Sequence, residues 1–280
     1  MLVPATDWPS LREVIAQFDL RADKSLGQHF LLDGNLLDKI CRSAEPLAGL
    51  NVIEIGPGPG GLTRALLRSP AAHVTAFEID PRAVKATESL AAKCPDRLTV
   101  IAGDALKADL PASVAAPRAI VANLPYNVGT PLLLRWLGQA QEYRAMTLMF
   151  QLEVAERIVA APNSSAYGRL SVISQWICDT AIMLQVPASA FTPPPKIESA
   201  IVRLVPKPAQ PDEFLFNAME RVTAAAFGQR RKMLRGALRG IGGEALLEIA
   251  GIKGERRAET LSVEEFERLA RVLVSKPPLF

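Results

Sequence analysis

Val52-Ile-Glu-Ile-Gly-Pro-Gly-Pro-Gly-Gly61 decides the architecture. A branched, apolar run breaks into a glycine-rich turn, and the helix-forming stretch Leu62–Arg68 follows at once. Strand, tight turn and helix in that order form the first half of a β-α-β unit. Glycine lets the backbone bend sharply and lets a ligand approach where a Cβ would collide. Gly56, Gly58 and Gly61 satisfy the G-x-G-x-x-G spacing of dinucleotide turns, so this element alone does not choose a ligand. A glycine turn that only permits tight packing is the alternative.

Outward from this turn the pattern repeats. Short apolar runs at Asn51–Ile55, Val74–Ile79, Leu98–Ala102, Ala119–Ala122 and Met146–Phe150 predict strands. Helical periodicity separates them at Leu62–Arg68, Arg82–Lys93, Thr130–Gln139 and Leu152–Ala160. Strands joined by helices rather than hairpins imply a parallel sheet covered on both faces. Two further β-rich runs, Ala181–Val186 and Ala200–Val205, flank Pro187–Ser199 and predict an antiparallel edge pair. The expected fold is therefore α/β and Rossmann-like, with a mostly parallel seven-stranded sheet whose last strand is antiparallel.

Ser10 and Glu13 form a capping box ahead of a short amphipathic helix carrying Leu11, Val14, Ile15 and Phe18. A polar connector, Arg21–Gly27, leads to a second helix near Asn35–Ala44. Pro206, Pro208 and Pro211 mark a composition break. The expected domains are 1–206 and a helical 207–280, in which Ser262 and Glu265 form another capping box, stapled by Leu261 and Phe266.

Apolar residues make up 49% of the chain and charged ones 22%, enough for a packed core. No apolar run reaches the roughly 18–20 residues that span a bilayer. No secretory pattern opens the chain, and Cys41, Cys94 and Cys178 lack metal-like spacing. A cytoplasmic protein without membrane or metal is expected. Charge is unevenly spread: residues 1–205 balance 19 basic against 19 acidic side chains, whereas residues 206–280 carry 13 against 10. Six basic residues and no acid lie between Arg221 and Arg239, a field that suits a polyanion or a plain solvated face.

Carboxylates flank the glycine turn. Glu78 ends the second strand, where it can accept hydrogen bonds from both hydroxyls of an adenosine ribose. Glu54 gives Glu-x-Gly-x-Gly, which resembles the first motif of methyltransferases. Asp104 follows the third strand, placed to take the amino group of a bound adenine. Glu54 and Asp104 favour S-adenosylmethionine over a dinucleotide, whereas Glu78 suits either.

The deciding signal is Asn123-Leu-Pro-Tyr126, directly after the fourth strand. In open parallel sheets ligands bind beyond the carboxyl ends of the strands, so this turn faces the methyl donor. It resembles the Asn/Asp-Pro-Pro-Tyr-type motif of amino-methyltransferases. The adenine N6 lone pair is delocalised into the ring, so the amine is a weak nucleophile. The Asn123 side-chain oxygen and the Leu124 carbonyl can each accept one N–H and draw the nitrogen towards tetrahedral geometry. Pro125 stiffens the turn. Tyr126 offers a stacking face, worth about 1–3 kcal/mol per base. No general base is demanded, and neither His29 nor His73 neighbours the turn in sequence, so a Ser/His/Asp hydrolase finds no support.

Six motifs in order make the chain resemble the ribosomal RNA adenine dimethyltransferase family, bacterial branch. They are Lys24-Ser-Leu-Gly-Gln-His-Phe-Leu31, Glu54-Ile-Gly-Pro-Gly58, Asn123-Leu-Pro-Tyr126, Asn163-Ser-Ser-Ala-Tyr-Gly-Arg-Leu170, Phe191-Thr-Pro-Pro-Pro-Lys196 and Phe227-Gly-Gln-Arg-Arg-Lys232. The resemblance implies N6,N6-dimethylation of two adjacent adenosines in a hairpin near the 3′ end of 16S ribosomal RNA, in the small subunit or its precursor. It implies donor contacts at His29, Leu31, Gly56, Gly58, Glu78, Asp104 and Asn123, with S-adenosylhomocysteine as product. Phe191 would sandwich the target base opposite Tyr126. His29 stands where the family usually has asparagine. Imidazole keeps one hydrogen bond but lacks the amide's paired geometry, which leaves side-chain, backbone or no contact as alternatives.

A base stacked in structured RNA cannot reach a deep pocket, so the target must be splayed out. On a helix, Arg231, Arg235 and Arg239 recur every four residues and share a face, while Leu234, Ala237 and Leu238 face the core. With Arg230 and Lys232 this predicts a phosphate-binding surface. No obligatory protein partner is implied, and a monomer is expected. The rivals are a nicotinamide-dependent oxidoreductase, a non-catalytic RNA-binding assembly factor, and a methyltransferase of large-subunit RNA.

Overall fold

A computed structural model describes residues 8–20, 29–229 and 231–275. The chain divides into two compact units, one of residues 1–155 with 181–205 and one of residues 156–180 with 206–280.

The first unit opens with α1 (Leu11–Gln17), where Ser10 and Glu13 close the expected capping box. Then come β1 (Phe30–Leu31), α2 (Gly34–Ser43), β2 (Asn51–Ile55), α3 (Gly61–Arg68), β3 (His73–Glu78), α4 (Pro81–Ala91), β4 (Leu98–Ala102) and α5 (Leu110–Ser113). β5 (Arg118–Asn123), α6 (Gly129–Leu137), β6 (Met146–Gln151) and α7 (Leu152–Val159) follow. After α8 (Arg169–Ile177), β7 (Cys178–Val186), β8 (Phe191–Thr192) and β9 (Ser199–Pro206) complete the strands.

Seven strands form one sheet in the order β4-β3-β2-β5-β6-β9-β7. The pairs β3–β4, β2–β3, β2–β5 and β5–β6 are parallel, and β9 runs antiparallel to β6. The expected architecture is met, with strand limits within a residue or two except at β7, which begins earlier. This is the Rossmann-like fold of S-adenosylmethionine-dependent methyltransferases. Two short strands went unforeseen: β1 and β8 pair antiparallel as a separate ribbon, with Phe30 opposite Thr192 and Leu31 opposite Phe191. At two residues each, they leave no periodicity to read.

The order reverses between β2 and β5, so their carboxyl ends diverge into a crevice. The glycine turn follows β2 and the Asn123 turn follows β5, which places both at this switch point. Beneath it, Val52, Leu66, Val74, Val121 and Ile201 belong to one buried cluster that makes the strand ends a rigid base.

The second unit is helical. It contains α8, α9 (Glu213–Gly228), α10 (Leu234–Ala237), α11 (Gly243–Ala250) and α12 (Val263–Ser275). The proline break at 206 coincides with a unit boundary, but residues 156–180, expected in the first domain, pack with the second. The reason lies in α8, where Arg169 pairs with Glu220 of α9 and Trp176 stacks on Phe216 and donates to Glu267 of α12. Ser171 and Ser174 of α8 are buried along with its apolar residues, so its buried surface is wider than its apolar stripe. The capping box at Ser262 and Glu265 forms, and both Leu261 and Phe266 are buried. No helix among the described residues is long and apolar enough to cross a membrane.

The continuous helix expected through the basic stretch is absent. α9 ends at Gly228, Gln229 and Arg231 lie in turn conformation, α10 lasts four residues, and a 3₁₀ turn spans Arg239–Ile241. Gly242 then adopts a φ of 125° that a helix does not use. Leu234, Ala237 and Leu238 are buried as expected.

Candidate active site

One cavity of about 310 Å³ opens at the switch point. Its floor is the β2–α3 turn. Gly56 and Gly58 hold φ values of 67° and 54°, and a Cβ on Gly58 would meet the Phe30 ring at 3.2 Å. Both positions therefore require glycine, on conformational grounds and, at Gly58, on steric grounds as well. A Cβ on Gly56 would lie 4.0 Å from Pro125 Cδ, so the glycine turn and the Asn123 turn face each other across the cavity.

Backbone amides anchor Glu78. Its Oε1 accepts from Ile79 N at 2.8 Å and Asp80 N at 2.9 Å, and its Oε2 accepts from Gly58 N at 3.2 Å. With two amides on Oε1 and one on Oε2, one lone-pair site is left on Oε2. Burial raises its pKa, against the lowering effect of those amides. Glu54 lies deeper, with Oε2 lacking any partner, and burial pushes its pKa up to about 8 despite Thr63. Asp104 Oδ1 caps its own loop through Leu106 N at 2.9 Å. Arg135 of α6 holds that loop by donating to the Leu106 carbonyl and, at 2.9 Å, to the Ala108 carbonyl. Sequence gave no sign of this clamp, because an arginine in a helix carries no mark of the carbonyls it will reach.

On the other wall, Asn123 is half-buried at the end of β5 and the Leu124 side chain is buried. The Pro125 carbonyl accepts from Val128 N and Gly129 N, both at 3.1 Å, which turns the chain straight into α6. Gly129 packs against Phe150, where a Cβ would come within 3.2 Å of the ring. The Tyr126 hydroxyl bonds Ser199 Oγ at 2.7 Å, and burial raises its pKa.

The cavity brings together His29, Leu31, Gly56, Gly58, Glu78, Asp104 and the whole tetrapeptide 123–126. Two expectations change. His29 does neighbour the tetrapeptide in space, its ring 5.6 Å from that of Tyr126 at a 31° tilt. Folding brings it there through the β1–β8 ribbon, which no local pattern announces. Its Nδ1–H donates to the Pro193 carbonyl at 2.8 Å, since a carbonyl oxygen only accepts. In the neutral ring the Nε2 lone pair then remains an acceptor. Phe191, expected opposite Tyr126, is instead buried among Leu31 and its neighbours and does not line the cavity. His29 meets its ring edge-on at 6.4 Å. Register explains this: Phe191 pairs with Leu31, and both side chains are buried.

In the second unit, Arg231, Lys232, Arg235 and Arg239 are exposed, and Arg235 reaches Glu255 at 3.7 Å. Arg230 and the first residues of the Lys24–Leu31 motif lie outside the described residues. The motif residues Tyr167 and Phe227 meet edge-on at 6.0 Å, and Phe227 stacks on Phe266 at 5.5 Å.

A cavity floored by glycines, with acids on one side and Asn-Leu-Pro-Tyr on the other, matches one family in particular. The family model for ribosomal RNA adenine dimethylase matches residues 19–274. The chain belongs to the ribosomal RNA adenine dimethylase family. Among curated relatives of this dimethylase, the ribosomal RNA small subunit methyltransferase A of Gluconobacter oxydans (strain 621H) is 58% identical, covering 96% of this chain and 89% of the relative. The protein of the same name from Chelativorans sp. (strain BNC1) is 57% identical over 94% of this chain and 97% of its own. Among solved structures, a dimethyladenosine transferase from Plasmodium falciparum is similar at a TM-score of 0.71 and 27% identity, covering 86% of this chain and 96% of that one. The 23S rRNA methyltransferase ErmE is similar at 0.64 and 29%, covering 87% and 99%.

Proposed function

We propose that this protein is an S-adenosylmethionine-dependent methyltransferase that dimethylates N6 of two adjacent adenosines in a hairpin loop near the 3′ end of 16S ribosomal RNA. The observation that carries this is the shared cavity: the glycine turn after β2 and Asn123–Tyr126 after β5 face each other across it. The small subunit is favoured over the large because curated relatives at 57–58% identity bear the small-subunit name, whereas the 23S enzyme stands at 29%.

The residues fit the donor. The vacant lone-pair site on Glu78 Oε2 suits one ribose hydroxyl, and Asp104, steadied by Arg135, suits the adenine amino group. The glycine turn admits the rest of the molecule where side chains would collide. Bound there, S-adenosylmethionine supplies a methyl group activated by a positively charged sulfur.

On the facing wall, the Asn123 side-chain oxygen and the Leu124 carbonyl accept the two N6 hydrogens, and Tyr126 stacks the base. Such positioning can contribute roughly 7–11 kcal/mol to rate. His29, rather than Phe191, supplies the aromatic side chain beside Tyr126 at the cavity wall. The exposed Arg231, Lys232, Arg235 and Arg239 bind RNA phosphates, a role that Arg230 shares by its place in the sequence.

Asn123→Ala tests the assignment. Losing one oriented acceptor lowers transfer about 10²–10³-fold, while the protein stays folded and binds RNA. Mass spectrometry of small-subunit RNA methylated by each form reads the result. An Asn123→Ala protein as active as its parent would refute the assignment.

A further inference from the structure

Tyr126 is not held by its own turn. Its hydroxyl is tied to Ser199 Oγ at 2.7 Å, across 73 positions of sequence. Ser199 is fully buried at the start of β9, and its register opposite Gln151 of β6 fixes where its hydroxyl sits. The ring is thus pinned at both ends, by the turn through Cβ and by the sheet through oxygen. Its long axis cannot swing without breaking this half-buried hydrogen bond, so the stacking face keeps its position at the cavity wall.

The chemistry of two successive transfers makes that plane matter unequally. In each, the N6 lone pair forms the new N–C bond, the C–S electron pair stays with sulfur, and one N–H proton leaves to solvent. The first transfer starts from an amine with two hydrogens, one for Asn123 and one for Leu124. The second starts from an amine with one. Half of the orienting hydrogen bonds are gone, and the stacking plane must supply a larger share of the alignment. We propose that Ser199 is a positioning residue that fixes the Tyr126 ring and thereby sustains the second methyl transfer, so that the product is dimethyladenosine. This rests on the adenine-N6 function proposed above.

The test uses the full-length protein, S-adenosylmethionine and small subunits that lack the modification. Mass spectrometry follows N6-methyl- and N6,N6-dimethyladenosine over time. In Ser199→Ala the first transfer is expected to slow by no more than about threefold and the second by about tenfold, the scale of one lost hydrogen bond, so monomethyladenosine accumulates. Tyr126→Phe, which removes the other hydroxyl, gives the same shift. The double variant is no worse than either single one, because both act through one bond. Ser199→Thr keeps the hydroxyl and restores dimethylation, and S-adenosylmethionine affinity is unchanged throughout. An unaltered product ratio, an equal fall in both transfers, or additive losses in the double variant would each overturn the inference while leaving the function intact. A parent protein that makes no methyladenosine at all overturns the function itself, and this inference with it.

Discussion

On the Gly56–Glu78 side of the cavity, main-chain groups hold the functional atoms: three amides grip Glu78, and left-handed glycines shape the turn. On the Asn123–Tyr126 side, side chains from remote segments do the holding. Ser199 ties the Tyr126 hydroxyl, and His29, itself tied to the Pro193 carbonyl, lies against its ring. A backbone-built wall tolerates most side-chain changes but breaks when the main chain must move. A wall built from side chains loses function in small, separable steps. That contrast suits the labour the proposed function gives each: one wall would grip the same donor every time, while the other would receive an amine that changes between its two visits.

The largest expected effect on donor binding comes from forcing the backbone-built wall. Gly58→Ala strains a left-handed position by roughly 1–2 kcal/mol and drives a Cβ against Phe30. Isothermal titration should find S-adenosylmethionine affinity down by about a hundredfold. Unchanged affinity would break the comparison at its firmest point.

Glu54 offers a smaller, pH-dependent effect. It ionises near 4.5 in an ordinary setting, and burial pushes it up to about 8 in the folded chain. A raised carboxyl contributes stability that is full below the unfolded value and is lost as pH climbs through the folded one. Thermal unfolding at several pH values should show the parent weakening by a few kcal/mol across that window, at about 1.4 kcal/mol per pH unit. Glu54→Gln should remove most of this slope, and equal slopes would disprove the assignment.

Charge reversal at Arg231 and Arg235 should leave both walls alone and weaken RNA binding by about tenfold, with a shallower dependence on salt. A change in S-adenosylmethionine affinity instead would tie these residues to the cavity. His29→Asn should have the smallest effect, raising the RNA KM by about threefold, the loss of a ring contact worth about 0.5–1 kcal/mol. If kcat collapsed, His29 would have a chemical part that this comparison does not give it.

Strand-end chemistry was legible in sequence because the periodic element that carries it also places it. Glu54, Gly56, Glu78, Asp104 and Asn123 all follow or end strands of the parallel sheet, and all line the one cavity. Local capping at Ser10–Glu13 and Ser262–Glu265 was legible for the same reason, each box being complete within four residues. What escaped depends on contacts between distant segments. Phe191 is buried through its pairing with Leu31, His29 meets Tyr126 through the same ribbon, and Ser199 finds Tyr126 through strand register. Periodicity misled in the basic stretch, where every-fourth-residue spacing promised one helix and the chain instead forms a four-residue helix and a 3₁₀ turn. In α8, Ser171 and Ser174 are buried with the apolar residues, so burial there goes beyond what the apolar pattern marks.

The ribbon of β1 and β8 also bears on when the molecule becomes competent. His29 and Pro193 are 164 positions apart, so this wall can close only after synthesis has passed the proline loop. Pairings that span so much chain pay their closure entropy late. During translation the glycine turn can form long before its aromatic neighbour arrives, and a nascent chain that stops short of β8 has a nucleotide cradle with one side missing. Completion of the pocket is thereby tied to a segment made 164 positions after its partner.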